Sequence, residues 1–358
     1  MKISFLDDEP EIFPLQYGGK ARTITNLAKE FAKLPDVDEV TILSKSIFCD
    51  KEEFKKDNIR YIVLNDENII KKIAEEMERV DILNIHCCSF TFPNIKGKAK
   101  KFYFLHDVLI ATADRGSHLD KALGGNFDAI VAPSEFAKSI YDKNRKIING
   151  NVECFVIPRH INTDLFYEIP IKEQEEALKK LPKLKKAKET YKHILFFPSR
   201  PIAEKGKKYL FELARKLENQ SFGIIGPFLC KKDLPKNFID TDWIQSDDLK
   251  YYYSLSDVTL NLSELPESFS QICLESAYCG TPVVAFKSGN IPYLSNEIEN
   301  ICVVDKNVID IEQEIYKGIE MKKNATLKWK VKNVIEKKYG VEKIISNYIE
   351  LYKCYMEG

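Results

Sequence analysis

The sequence predicts an α/β fold of two tandem Rossmann-like domains that face a cleft. In both halves of the chain, short apolar runs alternate with amphipathic segments. This pattern predicts parallel strands joined by right-handed helical crossovers. The length of 358 residues fits two domains of roughly 150–180 residues each. Because ligands of such sheets bind beyond the carboxyl ends of the strands, we expect functional residues in the loops that follow strands.

The first predicted domain covers residues 1–168. It begins with the apolar strand KISFL, and the helix that follows has an apolar stripe starting at Ala21. The alternation continues with the strands EVTIL, IRYIVL, DILNIH, KFYFLHDV, DAIVAPS and CFVIP, and with helices near 67–78 and at EFAKSIY. Residues 169–192 are highly charged and lack a strong apolar stripe, which predicts a partly helical linker.

The second predicted domain covers residues 193–335, where the alternation restarts. The predicted strands are HILFFPS, SFGIIG, DWIQ, DVTLNLS, TPVVAF and NICVV. Helices are predicted over 206–217, 247–254 and 268–279, and from near residue 310 onwards. The sequence therefore predicts two similar α/β halves in series.

Composition excludes several classes of protein. Lys and Arg together number 54, as do Asp and Glu, so the chain lacks the basic excess of a nucleic-acid-binding protein. No stretch approaches the ~20 apolar residues that span a bilayer, and the opening MKISFLDDEPEIF lacks the pattern of a signal peptide. Nine scattered cysteines without a CxxC pair indicate reduced thiols. We therefore expect a cytoplasmic protein without a disulfide framework.

Two basic runs cover residues 96–102 and 179–188. Such runs are usually solvated surface, but basic clusters also attract proteins weakly to anionic membranes. Neither run has the aromatic apolar face of a good interfacial helix. Solvated surface is the simpler interpretation, and a weak peripheral contact with the inner face of the membrane is the alternative.

Two loops that precede helices contain glycine or cations. Gly18 and Gly19 lie before the first helix, where a backbone without side chains lets an anion approach the helix N-terminus. A plain tight turn explains these two glycines equally well. Arg200 and Lys205 follow the strand HILFFPS, and Gly206 lies at the start of the next helix. One arginine fork and one lysine point charge in such a loop suit a diphosphate, although a solvated basic loop would look similar.

The most specific motif is ELPESFSQICLESAYCGTPVVAF at 264–286. Glu267 lies in the loop after a strand, and Glu275 lies eight residues later on the predicted helix. Ser268 is a candidate N-cap, and Gly280 suits the left-handed position at the helix end. Carboxylates accept hydrogen bonds from the hydroxyls of a sugar or ribose. The motif therefore predicts a site for a ligand that carries both hydroxyls and phosphate.

These segments resemble the nucleotide-sugar-dependent glycosyltransferases of family 4, which have the GT-B fold. The resemblance is carried by PSRPIAEKG, FGIIG, LPESFSQICLESAYCGTPVVAF and SGNIP, and in the first half by LQYGG, FYFLHD, DAIVAPSEFAKSIY and FVIPRHINTDLF. It implies a retaining transfer of a sugar from a nucleotide diphosphate donor, by default a UDP-sugar, to an acceptor hydroxyl. It also implies that no metal or other cofactor is required, and that residues 336–358 form a helix that returns to the first domain.

The resemblance assigns roles to the matching positions. Arg200 and Lys205 would hold the donor diphosphate, and Glu275 would bind the ribose hydroxyls. Glu267 would contact the transferred sugar, and His106 would lie beside that sugar at the reaction centre. The other donor-binding positions are Gly18, Gly19, Ser268, Phe269 and Ser270.

The chain departs from the family pattern at four places, one of which is Ser199, where the family usually has a glycine before the arginine. Arg159 and His160 stand where the family usually has Asn-Gly. Ser268 and Ser270 replace two glycines, and the sequence SGN at 288–290 stands where a Gly-Gly pair usually precedes Ile-Pro. The carboxylates and cations are retained, so these departures bear on the shape of the sugar pocket and on the identity of the donor.

Several other residues are weaker candidates. His86 ends the strand DILNIH, His118 follows an ADRGS segment, and His160 lies near the predicted hinge. Asp107 would orient His106 or cap the following residues. For the three histidines, ordinary packing is the simpler explanation. Asp240 and Asp242 form a DxD, a metal-binding pattern of transferases with another fold, but they lie far in sequence from the cations.

Other functions remain open from the sequence. Another GT-B enzyme is the first alternative, for example a sugar-nucleotide epimerase, whereas phosphorylases are much longer chains. A non-catalytic nucleotide-sugar-binding protein is the second alternative, although the retained carboxylates and cations argue against it. A dehydrogenase is least favoured because the chain lacks a GxGxxG fingerprint.

Overall fold

The computed structural model describes residues 1–7, 18–45, 51–86, 96–106, 108, 127–144, 152–227 and 234–357. The chain divides into two compact units, one formed by Met1–His160 with Val341–Gly358 and the other by Ile161–Gly340. Each unit is a parallel sheet covered by helices on both faces. The predicted class of an α/β fold with two tandem Rossmann-like domains is confirmed.

The first unit has an eight-stranded sheet in the order β3-β4-β2-β1-β5-β6-β7-β8. Its strands are β1 Lys2–Asp7, β2 Glu39–Lys45, β3 Glu53–Lys56, β4 Ile59–Leu64, β5 Ile82–Ile85, β6 Lys100–Phe104, β7 Ala129–Ala132 and β8 Cys154–Val156. Its helices are α1 Gly18–Phe31, α2 Ile69–Arg79, α3 Glu135–Asn144 and, from the C-terminal segment, α12 Val341–Glu357. All neighbouring strands are parallel except β3 and β4, which form an antiparallel edge pair.

Two apolar clusters fill the first unit. On one side, the α1 stripe that begins at Ala21 packs with Ile344, Tyr348 and Tyr352 of α12. On the other side, α2 and α3 pack with alternate residues of the same strands. The sheet is thus buried on both faces, which explains why its strands are nearly continuous apolar runs.

The second unit has a six-stranded parallel sheet in the order β11-β10-β9-β12-β13-β14. Its strands are β9 His193–Phe196, β10 Phe222–Gly226, β11 Phe238–Asp240, β12 Val258–Asn261, β13 Val283–Phe286 and β14 Ile301–Val304. Its helices are α4 Ile171–Lys180, α5 Pro182–Thr190, α6 Lys207–Leu217, α7 Leu249–Leu255, α8 Gln271–Tyr278, α9 Ile291–Glu297, α10 Val308–Lys322 and α11 Ala325–Tyr339. Helices α6 and α10 contribute to the cluster on one face, and the remaining helices contribute to the other cluster.

The strand order of each sheet reverses at its first strand. In the first unit β1 lies between β2 and β5, and in the second β9 lies between β10 and β12. These are the topological switch points at which open α/β sheets bind ligands. Residues that follow β1, β5, β9 and β12 are therefore the ones placed for function.

Three details of the structure differ from the sequence prediction. Residues 169–192 are largely two helices, α4 and α5, whose residues Ala177, Leu184 and Ala187 are buried in the core of the second unit. The strand predicted at DWIQ is instead β11, which ends at Asp240 before that segment. The edge strand β3 was not predicted because its sequence EFKK is short and exposed, so it has no buried face to leave an apolar pattern.

Unit boundaries also differ from those expected. The first unit ends at His160 rather than at residue 168, and the second ends at Gly340 rather than at residue 335. Residues 341–358 belong with the first unit, to which α12 contributes core side chains. Within the described part of the chain, no helix combines the length and apolar character needed to cross a membrane.

Candidate functional site

The switch point of the second unit carries an ion pair. Lys205 ends a short 3₁₀ turn, Ala203–Lys205, in the connection after β9, and Glu267 lies in the connection after β12. The Lys205 ammonium is 2.6 Å from Glu267 Oε1 and donates to Ser263 Oγ at 3.3 Å. Arg200, in the same connection as Lys205, is exposed and forms no ion pair with any residue of the described ranges. Two cations and one carboxylate thus lie in the connections that follow β9 and β12.

Gly206 makes the close approach of these two connections possible. Its φ of +78° is left-handed, and a Cβ atom at this position would lie 2.1 Å from the carbonyl oxygen of Leu262. Only glycine fits both the conformation and the space. The predicted position of Gly206 at the start of a helix is confirmed, since α6 begins at Lys207. The glycine allows the Lys205 turn to pack directly on the end of β12.

The Glu267 loop is held by the segment at 288–290. The carbonyl oxygen of Glu267 accepts from the backbone N–H of Asn290 at 2.8 Å. Ser288 Oγ donates to the carbonyl oxygen of Leu265 at 2.6 Å, and Asn290 Nδ2 donates to that of Phe269 at 3.2 Å. The SGN sequence that departs from the family pattern therefore fixes the backbone on both sides of Glu267.

Helix α8 begins at Gln271 rather than at residue 268, the predicted start. Its first residue is Gln271 and its N-cap is Ser270, which has a left-handed φ of +75°, so Ser268 is not the N-cap. Ser270 Oγ accepts from Asn261 Nδ2 at 2.8 Å and donates to Cys273 Sγ at 3.1 Å. These buried contacts hold a non-glycine residue in the unfavourable conformation. Gly280 ends the helix at φ +78°, as predicted.

The other predicted residues of this loop and helix are buried. Ser268, Phe269 and Ser270 lie among the buried residues of the second unit, and so does Glu275. The Tyr253 hydroxyl donates to Glu275 Oε2 at 3.1 Å, a partner that sequence spacing did not indicate. The structure brings Lys205 and Glu267 into contact and fixes the Glu275 carboxylate on a neighbouring tyrosine.

The second unit also contains the aspartates of the DxD and two cysteines of the predicted helix. Asp242 of the DxD pairs with Lys183, and the described residues contain no group of three or more His, Cys, Asp or Glu side chains that would hold a metal ion. Cys273 and Cys279 are buried. Burial raises the pKa of the Cys273 thiol to about 11, so this cysteine is protonated and unreactive near neutral pH.

The switch point of the first unit carries a different polar cluster. Gly18 and Gly19 are the first two residues of α1 rather than a turn before it. Lys20 in the same turn is 2.8 Å from Oδ1 of the buried Asp7, the last residue of β1. Strand β5 lies next to β1, and β6 lies next to β5. His86 follows β5 and His106 follows β6, and the distance from His86 Nδ1 to His106 Nε2 is 2.6 Å.

Arg159 completes this histidine cluster. One of its terminal nitrogens lies 3.0 Å from His106 Nδ1. Burial lowers the pKa of both His86 and His106 well below the usual histidine value, and the charges of Lys20 and Arg159 lower it further. Both rings are therefore neutral at neutral pH. The sequence marked Arg159 only as a departure from a pattern, since it lies 53 residues from His106.

The remaining candidate histidines are His160 and His118. His160 is buried, and burial lowers its pKa to about 4, which is typical of a neutral core histidine. His118 and Asp107 lie outside the described residues.

Comparison with known proteins identifies the fold. Residues 179–333 match the family model described as "Glycosyl transferases group 1". No curated protein sequence matches the chain. Solved structures do match over nearly the whole length. The chain has the GT-B fold.

Three of these structures illustrate the likeness. Sucrose-phosphate synthase from Thermosynechococcus elongatus is 15% identical with a TM-score of 0.76, and the match covers 99% of both chains. Anabaena HepE in complex with UDP and glucose is 17% identical with a TM-score of 0.77, covering 99% of this chain and 100% of that one. A glycosyltransferase from Rickettsia africae is 21% identical with a TM-score of 0.75, covering 98% of each chain. At these identities the likeness establishes the fold.

Proposed function

We propose that the protein is a retaining glycosyltransferase of family 4 that moves a sugar from a nucleotide diphosphate donor to an acceptor hydroxyl. The observation that carries the proposal is the Lys205–Glu267 pair, together with Arg200, at the switch point of the second sheet. This site lies in the segment that matches the glycosyl transferase family model. Structures of similar fold include complexes with UDP-glucose and with UDP-2-fluoro glucose. These complexes favour UDP as the nucleotide of the donor.

In the second unit, the cations are assigned to the diphosphate and the carboxylates to the hydroxyls of the sugar and the ribose. Arg200 and Lys205 bind the diphosphate and stabilise the negative charge that develops on the β-phosphate as the sugar leaves. With two cations in this role, the proposal needs no metal ion. Glu267 accepts hydrogen bonds from the transferred sugar, and Glu275 accepts them from the ribose. The N–H groups at Phe269 and Ser270 contribute to the same sugar and phosphate.

The proposal also assigns residues of the first unit. His106 lies beside the transferred sugar, and Gly18 and Gly19 at the N-terminus of α1 contact the diphosphate. The acceptor hydroxyl attacks the face that the leaving group vacates, and the phosphate takes its proton, so that the sugar retains its configuration. Exclusion of water protects the activated sugar from hydrolysis.

A thermal-shift screen followed by a turnover assay tests this function. UDP, GDP and ADP, each free and as its glucose and N-acetylglucosamine derivatives where these exist, are added at rising concentration. Because stabilisation grows with the ratio of ligand concentration to Kd, the correct base raises Tm progressively. Slow release of nucleoside diphosphate from the matching donor then shows that the protein is an enzyme. If no nucleotide raises Tm and no donor is consumed, the proposal is wrong.

A weak membrane contact is the second part of the proposal, and it rests on residues 96–102. In the other basic run, Lys183 pairs with Asp242 and Lys185 with Glu189, so part of the positive charge of this run is neutralised by neighbouring carboxylates. Lys96 and Lys98 are exposed in the first run. Cosedimentation with anionic vesicles at low salt tests the contact, and an unchanged supernatant fraction would exclude it.

A further inference from the structure

The cluster formed by Arg159, His106 and His86 allows the protons of two histidines to be placed. A guanidinium has only N–H donors and no acceptor, so His106 Nδ1, which lies 3.0 Å from the Arg159 nitrogen, must be unprotonated and accept. A neutral imidazole carries one proton, and that proton is then on His106 Nε2. The 2.6 Å contact makes this N–H the donor to His86 Nδ1.

The same logic extends to His86. Because its Nδ1 accepts, its own proton is on Nε2. This nitrogen is buried and has no hydrogen-bond partner among the described residues. The His86 ring lies between aromatic neighbours, with centroid distances of 4.2 Å to Phe104 and 5.8 Å to Phe5. The two hydrogen bonds therefore have the same direction: Arg159 donates to His106, and His106 donates to His86.

The surroundings oppose a positive charge on either ring. Arg159 contributes a cation from the segment after β8, and Lys20 contributes one from α1. The carboxylate of Asp7 on β1 is 2.8 Å from the Lys20 ammonium. From α12, Tyr348 stacks on Phe104, and burial raises the pKa of its phenol. Among the described residues, the groups named here are cationic or neutral, apart from the Asp7 carboxylate, which is paired with Lys20.

We propose that Arg159 is a positioning residue that holds His106 neutral, with its proton on Nε2 and its ring orientation fixed. The proposal rests on the function proposed above, in which His106 lies beside the transferred sugar. In this arrangement neither histidine delivers a proton to the leaving group. The developing phosphate charge is then met by the cations of the second unit rather than by a histidine acid.

Nitrogen-detected NMR of the full-length protein labelled only at histidine tests the placement of the protons. The chain has five histidines, so the spectrum is simple, and His86→Asn and His106→Asn variants assign two of them. In the wild-type protein we expect both rings as the Nε2–H tautomer, without titration between pH 5.5 and 8. A wild-type His106 that carries its proton on Nδ1, or that titrates near pH 6.5, overturns the proposal whether or not any variant folds.

Two substitutions separate positioning from packing. Arg159→Met removes the donor and the charge but keeps most of the side-chain length, and we expect the pKa of His106 to rise above its wild-type value because a nearby positive charge is lost. Arg159→Lys keeps a charged donor, and we expect it to retain the wild-type spectrum. Arg215→Met, an exposed arginine of the second unit, is the matched control and should leave both rings unchanged. Identical His106 titration in Arg159→Met and wild type would overturn the proposal.

The pH profile of donor consumption links the cluster to the reaction. Wild type should show no inflection from His106 near neutral pH, whereas in Arg159→Met its inflection should move towards neutral pH, because one of the charges that lower the pKa of His106 is lost. Because the NMR measurement requires no donor, it stands if the proposed transferase activity is absent. The two failures are therefore distinguishable.

Discussion

Lys205 and Glu267 lie 62 residues apart in the chain and form a 2.6 Å ion pair at the switch point of the second sheet. Their side chains are about one-third and one-sixth exposed, respectively, so the pair is open to a ligand. An ammonium has three N–H donors and Lys205 uses two of them, on Glu267 and Ser263. It can therefore bind a phosphate oxygen without releasing Glu267, so in the proposed complex the position of the diphosphate would be coupled to that of the carboxylate.

Removing either cation should slow the proposed reaction strongly. We expect Arg200→Ala and Lys205→Ala each to reduce donor turnover about 100-fold or more, the effect of losing one group that stabilises transition-state charge. The controls are Arg215→Ala and Lys330→Ala, which remove exposed cations elsewhere in the second unit. Turnover is measured by release of nucleoside diphosphate. Near-normal rates in both site variants would reject the assignment of these cations to the diphosphate.

Glu267→Gln should separate binding of the nucleotide from turnover of the sugar. The substitution removes a negative charge beside the proposed phosphate site without removing the Lys205 cation, so we expect free nucleoside diphosphate to bind as tightly as to wild type or more tightly. We expect donor turnover to fall at least about tenfold, because the sugar loses a charged hydrogen-bond acceptor. Calorimetric titration gives the first quantity and a turnover assay the second. Parallel losses in both would show that Glu267 acts mainly by supporting the fold of the loop.

The sequence predicted the elements of this site better than their contacts. The order strand, Glu267, helix, Gly280 and strand follows from local patterns, because an apolar run, a loop and a left-handed glycine each leave a signal over a few residues. The start of α8 was misplaced because Ser270 has a positive φ, which is maintained by tertiary hydrogen bonds to Asn261 and Cys273. Local propensity does not encode such contacts.

Residues 169–192 show a second limit. Their Glu–Lys pairs at i,i+4, such as Glu175–Lys179 and Glu176–Lys180, favour an exposed helix but give little sign of burial. Only a narrow stripe including Ala177 and Leu184 reaches the core. Because most positions of this segment are charged, its sequence predicts a linker. Its few apolar positions are recognised as a buried face only in the structure. The contact of Arg159 with His106 is similarly invisible, since two distant loops create it.

Gly289→Ala should damage both the stability and the activity of the second unit. Gly289 has φ +58°, and a Cβ atom there would lie 2.3 Å from the carbonyl oxygen of Glu267. We expect a loss of at least about 2 kcal/mol in the free energy of unfolding, from the left-handed conformation and the overlap together. Denaturant titration measures it, with Gly318→Ala in helix α10 as the control, because that glycine has no positive φ. Equal effects of the two substitutions would contradict the close packing of the Glu267 loop.

A buried lysine should make the stability of the second unit depend on pH. Lys322, at the end of α10, donates to the carbonyl oxygens of Ser254 and Ser256 and to Thr281 Oγ1. Burial lowers the pKa of this ammonium to about 7, against about 10.4 for an unperturbed lysine. Between these two values the unfolded chain binds more protons than the folded one, so this residue makes stability rise with pH from about 7 to 10.

Comparing wild type with Lys322→Met isolates this contribution. Below pH 7 Lys322 is charged in both states, so its contribution does not change with pH. Above pH 7 wild type should gain on the variant by up to about 1.4 kcal/mol per pH unit, until the unfolded lysine also loses its proton. Urea titrations at pH 6, 7.5 and 9 measure the difference, and Lys330→Met is the exposed control. Parallel pH curves for wild type and Lys322→Met would mean that the folded protein keeps Lys322 charged, with its three oxygen partners offsetting the cost of burial.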